Sequence, residues 1–332
     1  MIKKKFLIIG SNSFSGSHFI NFLLKKNLKV IGVSRSIENS ERFLSYKKNK
    51  KLKNFSFYQI DLNKSEHIKK LIYIIKNKNI DHIINFSAQG MVGESWKNPV
   101  DWYQTNVIAQ INFFQELKDI RSIKKYVHFT TPEVYGHTKK LIEEESDFNP
   151  STPYAVSRAA CDMHLNVLHQ NYNFPVIFTR TANVYGPFQK LYRIIPKTIF
   201  CCNNKKNLYL DGGGKSVRSF IYIEDVCKIL FKIILNSKLG KTYHISTKNF
   251  ISIKDLVFKI FNILKTKKKL IRLSLERPGK DNAYKLSIKK IEKEFKIKNF
   301  IKLDYGLKKT IEWFLFYKNN FISSDLQYKH KK

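Results

Sequence analysis

Cysteine is scarce in this chain: Cys161, Cys201, Cys202 and Cys227 are the only four among 332 residues. None forms a Cys-x-x-Cys pair, and the adjacent Cys201-Cys202 has no metal-ligand spacing, so no metal site is indicated. Reduced core thiols in a cytoplasmic protein are the expectation. Long apolar runs are also missing. The run Phe6 to Ile9 is far too short for a secretory signal, and without an apolar stretch of about 18 residues no membrane span is expected. Arginine is rare, nine residues against 52 lysines, and acids are few, leaving a net charge of +35. The lysines are spread along the whole length among Asn and Ile, as on solvated faces. No recognisable nucleic-acid-binding motif accompanies the charge, so no nucleic acid and no membrane is expected as partner. His128, His164 and His169 share no ligand spacing and read as structural rather than metal-binding. What is present, 43% hydrophobic and 26% charged residues, is the balance of a globular protein large enough for two core-bearing units.

The chain opens on a short apolar run, Phe6–Ile9, the pattern of a strand buried on both faces. A glycine turn follows, Gly10-Ser-Asn-Ser13-Phe14-Ser-Gly16, then a helical segment from Ser17 to Lys26 and a strand from Leu28 to Val33. This is a βαβ unit whose turn offers backbone N–H groups and a helix N-terminus to a pyrophosphate. The dinucleotide fingerprint would have a glycine where Ser13 stands. After the second strand an acid would select the ribose of NAD, whereas Arg35 suits a 2′-phosphate, so the pattern favours NADP over NAD. Further strands are expected at Phe55–Ile60, Ile80–Phe86, Tyr126–Phe129 and Pro175–Arg180. Helices are expected at Ser65–Lys76, Pro99–Leu117 and Tyr154–Tyr172. The alternation predicts an α/β fold with a Rossmann-type doubly wound parallel sheet. Beyond Thr181 it loosens into Gly-rich turns, with helices near Ile251–Leu264 and Leu307–Tyr317. The expected division gives residues 1–180, plus roughly 217–247, to dinucleotide binding. Residues 181–216 and 248–332 form a smaller α/β substrate lobe.

Chemistry-bearing residues gather between His128 and Arg158. Thr131 and Glu133 follow a strand, at the sheet edge where α/β proteins bind ligands, and Tyr154 opens a helix with Arg158 one turn later. A free tyrosine is a poor base at a pKa of about 10, and a cation at i+4 is expected to stabilise its phenolate.

These residues, with Asp61-Leu62, Asn85-Phe-Ser87-Ala88-Gln89, Thr105-Asn106-Val107, Thr131-Pro-Glu-Val-Tyr-Gly136, Ser151-Thr-Pro-Tyr-Ala-Val-Ser157 and Asn183-Val-Tyr-Gly-Pro187, make the sequence resemble the extended short-chain dehydrogenase/reductases. Val217-Arg-Ser-Phe220, Glu224-Asp225 and Glu276-Arg-Pro-Gly-Lys-Asp281 continue the match, and within that family the resemblance is to dTDP-glucose and GDP-mannose 4,6-dehydratases. It implies a redox-neutral cycle on a nucleotide-diphosphate sugar. Tyr154 would take the proton of the 4-hydroxyl with Thr131 beside it, and Glu133 would remove the C5 proton. Water would leave from C6 and the hydride taken at C4 would return there. By the same resemblance Gly10, Ser13, Phe14, Gly16, Arg35, Asp61, Leu62, Ser87, Ala88, Gln89, Asn106, Tyr154 and Arg158 would hold the cofactor. Asn183, Arg218 and Arg277 would meet the nucleotide diphosphate. The family often dimerises through helices near 101–118 and 154–171, so a homodimer is expected. Two departures stand out: Arg158 replaces a lysine, and Pro132 replaces the acid that assists loss of water in the dTDP-glucose enzymes. A 4-epimerase or decarboxylase on the same scaffold, or a catalytically silent dinucleotide-binding regulator, are the competing readings.

Overall fold

The computed structural model describes residues 4–266, 268–276, 278–279 and 281–330. The first half lays down six strands: β1 (Lys5–Ile9), β2 (Lys29–Ser34), β3 (Phe55–Gln59), β4 (His82–Asn85), β5 (Lys125–Thr130) and β6 (Val176–Thr181). Short strands follow, β7 (Asn183–Tyr185), β8 (Leu208–Asp211), β9 (Val217–Arg218) and β10 (Phe220–Tyr222), before β11 (Thr242–Ile245) returns to the main sheet. Its order is β11-β6-β5-β4-β1-β2-β3, with every pairing parallel. Strands covered on both faces can be apolar throughout, as in β1, where Phe6 to Ile9 are all buried.

Between the strands run α1 (Phe14–Lys25), α2 (Ser65–Asn77), α3 (Pro99–Tyr103), α4 (Ala109–Leu117), α5 (Pro153–Tyr172), α6 (Ile194–Asn203) and α7 (Ile223–Asn236). One face of the sheet packs Phe19 and Leu23 of α1 with Leu230 and Ile233 of α7. The other packs Leu71 of α2, Phe113 of α4 and Leu165 of α5. The strand order reverses between β1 and β4, and the carboxyl ends on either side diverge to leave a crevice there.

The later part of the chain adds β12 (Ile251–Ser252), α8 (Ile253–Ile263), β13 (Ile271–Ser274), α9 (Lys289–Phe295) and α10 (Leu303–Phe316). A separate core, including Tyr185, Ile199, Leu256, Leu307 and Phe314, ties α6, α8 and α10 together over that crevice. Two differences from the expected elements bear on the site. The helix expected to run unbroken from Pro99 to Leu117 contains a π turn over Gln104–Ile108, a wider turn often found at functional positions. The strand β11 and the helix α7 before it were not separately anticipated, and they extend the parallel sheet to seven strands.

Candidate active site

A cleft of about 1070 Å³ lies along the carboxyl edge of the sheet, between the sheet and the second core. Its floor at one end is the turn after β1. Gly10 takes a left-handed φ of 79°, and a side chain there would drive a carbon to 2.8 Å from the Ser87 amide nitrogen. Glycine is required by backbone shape and by close approach alike. Ser13, where the fingerprint has glycine, has an ordinary φ of −72° and caps α1, its Oγ accepting from the Gly16 amide at 3.0 Å. The departure therefore strains nothing and exchanges a glycine for a helix cap. Gly16 does not line the cleft: it packs under the turn, where a Cβ would meet the Gly10 carbonyl oxygen. Phe14, Arg35, Asp61, Leu62, Ser87, Ala88 and Gln89 all line the cleft. The glycine turn, a capped helix N-terminus and cations beside it fit an anionic dinucleotide.

Asn106 sits behind the wall rather than in it. Fully buried on the π turn, it accepts from the Gln89 amide at 2.7 Å and donates to the Gln89 carbonyl and to Ser157 Oγ, each at 3.0 Å. It thus fixes the loop after β4. The outer side of that loop is held from far along the sequence. Gln89 Nε2 donates to the Tyr328 hydroxyl and lies 3.1 Å from His330 Nδ1. His330 stacks on Trp102 with centroids 5.0 Å apart and pairs with Asp101 at 2.6 Å. Residues beyond α10 therefore cross back to the first half of the chain, and Tyr328 lines the cleft. Arg35 donates to Gln89 Oε1 at 3.2 Å, joining the same cluster.

The reactive cluster is set by β5 and α5. Thr131 leaves the strand in extended backbone, and Pro132 opens a single 3-10 turn, Pro132–Tyr135, that carries Glu133. Proline is suited to this first position because its φ is preset and its missing N–H is not needed. Across from it, Thr152 caps α5, and Tyr154 and Thr131 face the same cleft, near enough that Thr131 lowers the Tyr154 pKa. Burial raises the Tyr154 pKa above its ordinary value, with the Glu133 carboxylate adding to the rise, while Arg158 and Thr131 oppose it. The lowering expected from Arg158 is present but outweighed by burial and by Glu133. Burial likewise pushes the Glu133 carboxyl up, against the pull of Arg218 and Arg193. Arg158 does not stand in the open. It is 1% exposed and gives Nη2 to the Phe129 carbonyl at 2.9 Å and to His128 Nε2 at 3.2 Å.

On the opposite wall Asn183 is exposed to the cleft. The buried Arg218 lies 4.3 Å over the Tyr284 ring and donates to the carbonyls of Asp281 at 2.7 Å and Val217 at 2.8 Å. Arg277 lies outside the described residues. Motif matching overlooked Lys190, Arg193 and Lys197, which follow the Asn183 loop and line this wall; basic residues grouped around the start of α6 were the available signal. With Arg218 they make the wall cationic, as an anionic diphosphate requires. Among the described residues no group of three or more His, Cys, Asp and Glu could hold a metal ion, and no helix is long and apolar enough to cross a membrane.

The fold and cleft have close counterparts among known proteins. A dTDP-D-glucose 4,6-dehydratase of Homo sapiens is 29% identical over 332 residues, covering 96% of this chain and 91% of that one. A probable dTDP-glucose 4,6-dehydratase of Sinorhizobium fredii is 27% identical over 328 residues, covering 94% and 93%. The crystal structure of dTDP-glucose 4,6-dehydratase from Bacillus anthracis in complex with NAD superposes with a TM-score of 0.85 at 27% identity, covering 95% of this chain and 98% of that one. Residues 7–310 match the family described as GDP-mannose 4,6 dehydratase, and the chain belongs to that family of extended short-chain dehydrogenase/reductases.

Proposed function

We propose that the chain is a nucleotide-sugar 4,6-dehydratase, converting a nucleotide-diphosphate sugar to its 4-keto-6-deoxy form. The carrying observation is the meeting of Thr131, Tyr154 and Glu133 in one cleft, with the Tyr154 phenol within electrostatic reach of the Glu133 carboxylate. A 4-epimerase needs no acid at that place. Residues 1–180 with roughly 217–247 would hold the dinucleotide, through Gly10, Ser13, Phe14, Arg35, Asp61, Leu62, Ser87, Ala88, Gln89, Tyr154 and Arg158. Gly16 and Asn106 would act by shaping that wall. Residues 181–216 and 248–332 would hold the nucleotide sugar through Asn183, Arg218, Arg277, Lys190, Arg193 and Lys197. Bound in this cleft, an oxidised dinucleotide would supply a hydride acceptor that is filled from C4 and emptied again at C6 within one turnover.

The protein's own part is proton handling. Tyr154 takes the proton of the sugar 4-hydroxyl while Thr131 fixes the same oxygen. Once C4 is a ketone the C5 hydrogen is acidic, and Glu133 is placed to take it. Pro132 can neither give nor take a proton, so Glu133 would also return the proton that lets the C6 hydroxyl depart as water. NAD is favoured as the resident dinucleotide, because the similar dTDP-glucose 4,6-dehydratase of Bacillus anthracis is in complex with NAD. Four buried free thiols support a reducing, cytoplasmic setting.

The test is incubation of purified protein with GDP-mannose, dTDP-glucose, UDP-N-acetylglucosamine and CDP-glucose separately, read by mass spectrometry. Loss of one water from one donor is expected. Loss of carbon dioxide, or isomerisation at constant mass, would overturn the dehydratase reading. Mass analysis of the dinucleotide released on denaturation decides between NAD and NADP.

A further inference from the structure

Arg158 raises a physical problem that its motif does not answer. A guanidinium carries its charge at all accessible pH, and burying it without partners costs several kcal/mol. Its Nη2 reaches the Phe129 carbonyl at 2.9 Å and its Nη1 lies 3.5 Å from the Ser87 carbonyl. It therefore spans the carboxyl ends of two neighbouring strands, β4 and β5, under the cleft. A lysine ammonium, a single point on a flexible stem, lacks the fork to do this. The remaining partner is His128, fully buried on β5, whose Nε2 lies 3.2 Å from Nη2. An imidazolium could not accept that bond. Burial and the two arginines nearby hold the His128 pKa well below its usual value, which keeps the ring neutral and its Nε2 lone pair available. One turn along α5 from Arg158, the Asp162 carboxylate lies 3.4 Å from the same Nε2 and bonds Arg180 through its other oxygen at 3.3 and 3.4 Å. Asp162 is 2% exposed and Arg180 4%.

We infer that His128 is a positioning residue for Arg158. Its lone pair aims the guanidinium at the strand ends beneath Tyr154, so that the charge lies where the phenolate forms and where a dinucleotide ribose would rest. The inference assigns no proton transfer to His128. It accounts for how an arginine can occupy a place built for a shorter, single-point cation. For its catalytic readouts it rests on the dehydratase reading above; for its binding readout it needs only dinucleotide binding.

The experiment compares His128→Leu with His128→Gln, whose amide oxygen reproduces an acceptor near the Nε2 position. The dissociation constant of NAD, kcat and KM for the nucleotide sugar, and the pH profile of kcat are measured for each. His128→Leu is expected to weaken NAD about tenfold, the worth of one good hydrogen bond to a charged group. It should lower kcat about tenfold to a hundredfold through misplacement, and leave the sugar KM within about twofold. Because Tyr154 must be deprotonated to act, kcat falls as pH drops through its pKa. Losing the aimed charge raises that pKa, so the acid limb should move to higher pH in His128→Leu and return toward wild type in His128→Gln. Equal NAD affinity and equal pH profiles in the two variants would overturn the inference, as would a loss confined to KM. Should His128→Leu fail to fold, His128→Asn keeps a polar side chain but draws its acceptor back from Arg158, and is expected to show the same split, weakened NAD and an upward limb with unchanged KM; an unshifted limb there counts against it. If wild type turns over no sugar nucleotide, the dehydratase reading fails alone, and the NAD affinities of the variants still decide the role of His128.

Discussion

Glu133 sits on one short turn whose first residue is a proline, and burial pushes its carboxyl upward. A carboxyl that must receive a proton acts only when ionised, so the rate falls as pH drops through its pKa. A raised value places that fall above the ordinary carboxylate range of about 4. Glu133→Gln keeps the shape and removes the base. Its expected result is loss of solvent deuterium incorporation at C5, while oxidation at C4, followed as reduced nicotinamide absorbance, persists. Continued exchange would show that another group takes the proton. That Thr131, Glu133 and Tyr154 would face one cleft was legible in the sequence because they stand at a strand end and a helix start, the sheet edge where α/β proteins bind ligands. The tyrosine's environment was not. An i+4 cation reads as a helper in sequence, yet here its pull is exceeded by desolvation and by Glu133. Such a balance depends on what surrounds the ring, which no spacing records.

The helix α5 is the element that turns these residues into a site, since Tyr154, Arg158 and Asp162 lie at i, i+4 and i+8 along it. Its start is fixed by the Thr152 hydroxyl accepting from the Ala155 amide at 3.2 Å, with Pro153 at the first helical position. Removing the cap by Thr152→Ala is expected to lower stability by about 1 kcal/mol in urea unfolding. Activity should fall by more than the small unfolded fraction explains, because the first turn also carries Tyr154. Thr152→Ser should restore both, and an unchanged unfolding midpoint in the alanine variant would show the cap to be idle. The strands before Thr181 announced themselves as apolar runs because parallel strands covered on both faces need no polar side. β11 escaped notice for the converse reason. It reads Thr-Tyr-His-Ile, and its His244 is buried only because Nε2 meets the Tyr135 hydroxyl at 2.8 Å and Nδ1 lies 3.1 Å from the Ser287 carbonyl. Those partners lie 109 and 43 residues away, beyond any local pattern. The π turn at Asn106 was equally invisible, since its cause is the clamp on Gln89 rather than a helix-breaking residue.

Considered as a whole, the molecule leaves an apolar surface on α5 and the neighbouring π turn, where Met163 is 59% exposed, Val167 51% and Ile108 47%. Large exposed side chains on adjacent helices are the kind of surface through which chains associate, and the homodimer expected from the sequence would pack there helix against helix. Met163→Glu would place a charge in that contact, and light scattering should then show a wild-type dimer become a monomer. A monomeric wild type would remove the proposal. The tethering of Gln89 by Tyr328 and His330, 239 and 241 residues further on, reaches beyond the finished fold into the order of its making. Chains are synthesised from the N-terminus, and early units can collapse while later ones are still being added. The strands β1 to β6 can therefore assemble early, yet the loop beside the cofactor cleft gains its outer supports only when residue 330 has cleared the ribosomal tunnel. A growing chain thus carries an unfinished cleft wall at Gln89 until residues 239 and 241 positions further on have been added, and firm capture of a ligand there waits for them.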